Sequence, residues 1–149
     1  MWNRVNLIYL IACACVLSSL SMHPASHNGA RQFVILIAAL VYPPFLMWLR
    51  PKTGFWKGAV SLISILTAAL LCGFATYLLW YVHFQYKRLG SEFYLFEVLG
   101  WSFGESFAFF LFLDVCPAAI IVAVCYPVGY LLSFQIFRRI RSLGPSYRS

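Results

Sequence analysis

Hydrophobic and polar positions divide this chain into long apolar runs joined by short loops that are rich in Pro, Gly and basic residues. Four runs, 5–22, 33–49, 58–84 and 115–137, have lengths that suit transmembrane helices. A helix needs about 17–25 predominantly apolar residues to cross the hydrocarbon core of a bilayer. The pattern therefore predicts an all-α integral membrane bundle of four transmembrane helices.

A further apolar stretch, 93–113, is crowded with phenylalanine and directly precedes the last run. Together the two cover 93–137, which is too long for one membrane crossing at about 1.5 Å per residue. Two interpretations remain open. In the first, 93–113 is an interfacial or re-entrant aromatic helix before the fourth transmembrane helix. In the second, it is a fifth transmembrane helix, joined to the last one by a tight turn at 114–117.

The distribution of Lys and Arg favours four transmembrane helices over five. With the N-terminus in the cytoplasm, the four-helix arrangement places eight basic residues inside and three outside, whereas the best five-helix arrangement gives seven against four. Cytoplasmic loops carry the excess of Lys and Arg. We therefore expect a multi-pass protein of the cell membrane with cytoplasmic N- and C-termini. The eight predicted cytoplasmic residues are Arg4, Arg50, Lys52, Lys57, Arg138, Arg139, Arg141 and Arg148.

Composition supports a membrane protein and argues against nucleic acid as a partner. The chain is 62% hydrophobic and 10% charged, whereas soluble domains are about 45–50% apolar and about 25% charged. A formal net charge of +7 would suggest nucleic acid in a soluble protein. Here the basic residues flank apolar runs, where they meet lipid headgroups. We expect a single transmembrane domain over 1–149, with the lipid bilayer as a partner.

Small residues mark positions where helices are expected to pack closely. Such residues let backbones approach each other in a membrane, where lipid provides no hydrophobic drive for association. One set lies in the 58–84 run and another forms a G-x-x-x-G pattern in the aromatic stretch. The predicted helix-packing residues are Ser61, Ser64, Ala68, Ala69, Gly73, Gly100 and Gly104.

All four acidic residues of the chain lie between 87 and 137. Glu97 and Glu105 fall on one helical face together with Trp101, about 12 Å apart along the helix axis. That pattern suits an amphipathic helix lying in the membrane surface, and it also suits a helix that lines a polar cleft. The separation is too large for the two carboxylates to act as one catalytic pair.

Asp114 is the most unusual residue, because it sits between Leu113 and Val115 in an otherwise apolar environment. An aspartate at the centre of a transmembrane helix costs at least about 2.5–3.5 kcal/mol. One interpretation is a proton- or cation-linked group inside the bundle. The other, which the sequence favours, is an N-cap of the last helix at the outer interface, because Pro117 suits a first helical turn.

The sequence motifs do not support an enzymatic activity. Residues 100–104 match the G-x-S-x-G string of hydrolases, but no strand pattern precedes them and no histidine follows His83. His23 and His27 lie in a turn-rich loop, and the chain contains no phosphate-binding loop, dinucleotide fingerprint or H-E-x-x-H string. We predict no enzymatic activity, no metal and no cofactor.

Two classes of function follow from these observations. The first is a non-catalytic accessory or binding protein that acts through helix packing with another membrane protein, with lipid or with itself. A narrower form of it has the outer aromatic segment capture an incoming membrane-inserting agent. The alternative is a small cation- or proton-linked transporter or channel that uses Asp114 and Glu105.

Overall fold

A computed structural model describes residues 4–22, 28–50, 52–90 and 95–143, and no strand occurs in these ranges. The predicted all-α bundle is confirmed. Its helices are α1 (Arg4–Ser21), α2 (Asn28–Leu49), α3 (Phe55–Leu89), α4 (Leu95–Phe110) and α5 (Cys116–Leu143).

Three helical stretches are long and apolar enough to cross a membrane: Gly29–Leu49, Phe55–Leu89 and Phe103–Ile140. The first helix contributes a shorter apolar stretch, Asn6–Ser21. All four predicted apolar runs are therefore helical where the structure describes them. By length and composition, three of them meet the requirement for a membrane span.

The aromatic stretch and the last run form one uninterrupted helical rod. α4 passes into α5 through a π-helical turn, Leu111–Val115, in which the backbone N–H of Cys116 donates to the carbonyl of Leu111. The residues on either side of this turn, Phe110 and Cys116, keep right-handed helical backbone angles. The tight turn at 114–117 that the five-helix interpretation requires does not occur.

The helices associate in two main pairs, α1 with α3 and α2 with α5. At one end of the first pair Asn6 donates to Ser61. At the other end, a Cβ placed on Gly73 would lie 3.1 Å from Ser21 Oγ. Residue numbers thus increase in the same direction along both helices, so α1 and α3 run parallel.

The α2–α5 pair also runs parallel, because Arg31 contacts Asp114 just before α5 and Leu40 lies against Gly129 further along both helices. A Cβ on Gly129 would lie 3.0 Å from the carbonyl oxygen of Leu40 and 3.3 Å from Pro43 Cγ. The assigned α2 helix continues through Pro43 and Pro44 to Leu49. The buried face of α2 carries Ile35, Ala39 and Tyr42, so the core lies between the two helix pairs.

Most of the basic residues lie at one end of the bundle, because of the directions in which the helices run. The start of α1, the α2–α3 loop and the end of α5 meet there, with Tyr126 of α5 donating to the carbonyl of Phe55. The opposite end is formed by the start of α2, the later part of α3 and the π-helical turn. Described basic residues at the first end are Arg4, Arg50, Lys52, Lys57, Arg138 and Arg139.

Candidate functional site at the Arg31–Asp114 ion pair

A buried ion pair joins α2 to the π-helical turn at the less basic end of the bundle. Arg31 Nη1 donates to Asp114 Oδ2 at 2.9 Å, and the two side chains are only 11% and 8% exposed. From the sequence, Asp114 is predicted to be a helix N-cap. That interpretation is wrong, because Asp114 lies within a continuous helix and pairs with a residue 83 positions away.

Pro117 accounts for the local geometry around Asp114. A proline has no N–H and cannot donate to the carbonyl four residues earlier, which here belongs to Leu113. That carbonyl instead accepts a hydrogen bond from Gln32 Nε2 of α2 at 3.4 Å. Single π-helical turns are rare and are frequently found at functional sites. The proline therefore modifies the helix without ending it, and Asp114 faces α2.

A cavity of about 160 Å³ adjoins the ion pair and is partly open to the outside. Arg31, Asp114 and the hydroxyl-bearing Tyr77 and Ser106 supply its polar groups. The remaining wall is mainly apolar and aromatic, formed by Gly73, Phe74, Phe109, Phe110 and Leu113. Phe74 stacks on Phe110 with ring centroids 4.7 Å apart. The site thus combines a charged edge with a ring-lined pocket.

Each partner of the ion pair keeps one buried polar atom without a hydrogen bond to any described residue. These atoms are Arg31 Nε and Asp114 Oδ1. Buried polar groups are normally hydrogen-bonded, so each orphaned atom calls for a physical explanation. The single contact between Nη1 and Oδ2 thus leaves one donor and one acceptor of the pair unpaired among the described residues, and both atoms are buried.

The structure does not bring the three predicted acidic residues together. Glu105 is exposed on α4, nine residues before Asp114 and therefore about 13 Å from it along the helix. Glu97 lies two turns further away on the same helix. Asp114 instead pairs with Arg31, which sequence reasoning assigned to the outer basic residues. The sequence does contain one signal for this pairing: Arg31 and Asp114 each lie just before an apolar run, 33–49 and 115–137.

The predicted helix-packing residues separate into two groups. On α3, Ala69 and Gly73 are buried against α1, Ala68 is half-buried, and Ser61 accepts a hydrogen bond from Asn6. Ser64 is exposed and donates to its own helix at Val60.

The two glycines of α4 differ from those of α3. Gly100 and Gly104 are exposed, and a Cβ on either would meet nothing within 4 Å in the described chain. They therefore stay available for contacts outside this bundle. Sequence reasoning missed Gly58 and Gly129, which are buried at real helix contacts.

A second polar cluster lies near the basic end and fastens three helices together. Tyr42 of α2 donates to Asn6 Oδ1 at 3.1 Å, and Asn6 Nδ2 donates to Ser61 of α3 at 2.7 Å. Tyr9 donates to the carbonyl of Ala38 at 2.7 Å. The part of the chain that the structure describes contains no group of three or more His, Cys, Asp or Glu side chains placed to hold a metal. The hydrogen bonds of this cluster link α1, α2 and α3.

Comparison with known proteins gives no relative: no family model, no curated protein and no solved structure matches this chain.

Proposed function

We propose that the chain is a non-catalytic accessory protein of the cell membrane that acts by packing against another membrane protein. Three of its helical stretches have the length and apolarity of membrane spans. The concentration of Lys and Arg at the end shared by Arg4, Arg50 and Arg138 supports cytoplasmic N- and C-termini, because basic loops stay inside.

Placement in a bilayer puts the ion pair near the outer boundary. Arg31 and Arg50 are 19 residues apart in α2, about 28 Å along the helix. The hydrocarbon core is about 30 Å thick. With Arg50 at the cytoplasmic boundary, Arg31 and Asp114 lie close to the opposite one, where a charged pair costs far less than at the centre.

Two helical arms extend past the ion pair. From the Phe74–Phe110 contact, α3 continues to Leu89 and α4 reaches back to Leu95, about 22 Å in each case. These arms carry large exposed side chains, among them Leu79, Phe84, Phe103 and Phe109. Large apolar side chains that are exposed on helices beyond the ion pair suit contact with a partner.

The observation that carries the proposal is the open face of α4. Gly100, Gly104 and Ala108 recur every four residues on that face, all are exposed, and the exposed carboxylate of Glu105 lies beside them. Small residues at this spacing permit close helix contact. The complementary partner is a helix with small residues of its own and a Lys or Arg facing Glu105.

Site-specific photocrosslinking in native membranes tests this proposal. Phe112 follows Ala108 by one turn and is 73% exposed, and Phe134 of α5 is a matched control at 54% exposure. We expect a p-benzoylphenylalanine at 112 to give one adduct of fixed mass, and the same group at 134 to give none. Gly104→Leu should abolish the adduct. Equal or diffuse crosslinking from both positions would contradict the proposal, while an adduct of twice the 17.0 kDa chain would identify self-association.

Cysteine labelling tests the proposed orientation. In a background without the native cysteines, we expect an impermeant maleimide added to intact cells to label Gly90→Cys and to leave Lys52→Cys and Ser142→Cys unlabelled. All three positions are exposed in the structure. The reverse pattern would place the termini outside.

A second candidate function is cation- or proton-linked transport through Asp114 and Glu105. The observation that favours it is the unpartnered Oδ1 of a buried carboxylate beside a cavity. Flux in proteoliposomes tests it: a transporter should lose activity in Asp114→Asn or Glu105→Gln. Equal flux in the wild type and both variants would reject the candidate.

A further inference from the structure

We propose that the basic end of the bundle, where the start of α1, the α2–α3 loop and the end of α5 meet, is a binding surface for anionic phospholipid headgroups of the surrounding leaflet. The exposed cations of this surface are Arg4, Arg50, Lys52, Lys57, Arg138 and Arg139. The surface lies at the opposite end of the bundle from the exposed glycines of α4, so this proposal and the proposed function can fail independently.

The packing of α2 on α5 brings the cations of the two helix ends to one height. Gly129 of α5 lies against Leu40 and Pro43 of α2. Arg50 follows these two residues of α2 by ten and seven positions. Because the helices run parallel with the same rise per residue, this register puts Arg50 at the height of about residues 136–139 of α5. Both α5 cations of the surface fall within this range.

The α2–α3 loop is held against α5, which fixes the place of its cations. The backbone N–H of Thr53 donates to the carbonyl of Arg50 at 3.0 Å and closes a tight turn that contains Lys52. Directly after this turn, the ring of Phe55 packs edge-on against Tyr130 of α5, with centroids 5.0 Å apart. The loop cations and the α5 cations are therefore parts of one surface.

The first helix pair adds the two remaining cations at a similar height. Asn6 of α1 donates to Ser61 of α3 at 2.7 Å, so these two positions are level. Arg4 precedes Asn6 by two residues and Lys57 precedes Ser61 by four. Both cations therefore lie only about 3 and 6 Å closer to the end of the bundle than this hydrogen bond.

The chain supplies no acidic side chain to neutralise these cations. Residues 1–91 and 115–149 contain no Asp or Glu. The acid nearest to Arg138 along the helix is Asp114, about 36 Å away, and it is already paired with Arg31. None of the six cations forms an ion pair with any residue that the structure describes. The anions that neutralise this surface must come from outside the chain.

Exposed tryptophan and leucine side chains beside the cations point to lipid as the source of those anions. Trp48 and Trp56 flank the α2–α3 loop and are 69% and 77% exposed. Tryptophan is enriched at the headgroup level of membranes. Leu49 and Leu132 are also exposed near the same height, and lipid chains cover such side chains where water would not. Long Lys and Arg side chains can then reach the phosphates, and basic surfaces between transmembrane helices bind anionic headgroups.

Native mass spectrometry of the full chain in detergent micelles tests the surface. Titration with phosphatidylglycerol or with phosphatidylcholine gives an apparent affinity for each lipid. We expect the chain to prefer the anionic lipid by at least about fivefold, which is the effect of one cation close to the headgroup. The preference should fall as the ammonium acetate concentration is raised, because salt screens exposed charges.

Matched charge substitutions locate the binding. Arg138→Gln with Arg139→Gln removes two cations of the surface, while Lys87→Gln with Arg88→Gln removes two exposed cations from the other end of the bundle. We expect only the first pair of substitutions to lower the affinity for phosphatidylglycerol, by at least about fivefold, without changing the affinity for phosphatidylcholine. Both variants should retain the wild-type thermal unfolding transition.

A second surface variant tests whether the loop and α5 act together. Arg50→Gln with Lys52→Gln should cause a similar loss, because these cations belong to the same surface. Equal affinity of the wild type for both lipids, or an equal loss in the variant at the other end of the bundle, would overturn the proposal. Displacement of phosphatidylglycerol by excess soluble glycerol phosphate would also overturn it in favour of a free phosphate, and displacement by polyglutamate would do so in favour of an acidic protein.

Discussion

Removal of Arg31 should destabilise the bundle far more than removal of an exposed basic residue. The Arg31 and Asp114 side chains are only 11% and 8% exposed, so both are largely removed from solvent. Deleting one member of a buried pair leaves an uncompensated charge and costs about 3–5 kcal/mol, whereas exposed pairs contribute about 0–1 kcal/mol. We expect Arg31→Met to lower the free energy of unfolding by about 3–5 kcal/mol, and Arg88→Met, at an exposed position of α3, to change it by less than about 1 kcal/mol.

The double variant Arg31→Met, Asp114→Leu tests whether the instability of Arg31→Met comes from the unpaired charge that it leaves on Asp114. Replacing both charges with apolar groups of similar size is often neutral or stabilising, so we expect it to recover most of the stability that Arg31→Met loses. Unfolding in mixed micelles of increasing denaturing detergent, followed by tryptophan fluorescence, measures all four proteins. If the double variant were as unstable as Arg31→Met, or if Arg31→Met matched Arg88→Met, the reasoning from a buried charge would fail.

Four further substitutions test individual contacts by the same unfolding measurement. Gly129→Ala should cost about 1–3 kcal/mol because its methyl group meets the α2 backbone, while Gly104→Ala, with open space around it, should be neutral or stabilising by up to about 1 kcal/mol; equal effects would refute the close helix approach. Tyr42→Phe should cost about 0.5–1.5 kcal/mol by removing its hydrogen bond to Asn6, and an unchanged stability would contradict that bond. Pro117→Ala supplies the missing backbone donor and should move Asp114 relative to Arg31. The coupling free energy between Arg31 and Asp114, measured by a double-mutant cycle, should therefore fall. An undiminished coupling would show that the proline does not position Asp114.

Local sequence pattern is sufficient to predict the helices, because their apolar runs are long and their loops are short. The α2–α3 connection is a clear case, since 50–54 combine basic residues, Pro and Gly, and the structure begins α3 at Phe55. The face of α3 that packs was only partly predictable. Ala69 and Gly73 are buried, but Ser64 is exposed, because which small residues are covered depends on where α1 lies and not on the α3 sequence.

The candidate site shows what local pattern leaves out. Arg31 and Asp114 are 83 residues apart, and their pairing depends on α2 and α5 running parallel, which requires the whole order of helices. An outer Arg and an acid at a helix start each have an ordinary local explanation. Arg31 and Asp114 become partners because the fold places them at the same height along the bundle axis.

Pro117 explains why the interpretation of Asp114 as a cap was reasonable and still incorrect. Asp followed three residues later by Pro is a common helix start, because the proline occupies a first-turn position where no N–H is needed. Inside a helix, the same proline leaves the Leu113 carbonyl without its usual donor. Gln32 of α2 donates to that carbonyl from outside the helix. The same neighbouring helix supplies Arg31 for Asp114, one residue further along. The proline, the π-helical turn and the ion pair thus form one structural unit, which depends on α2 being packed in place.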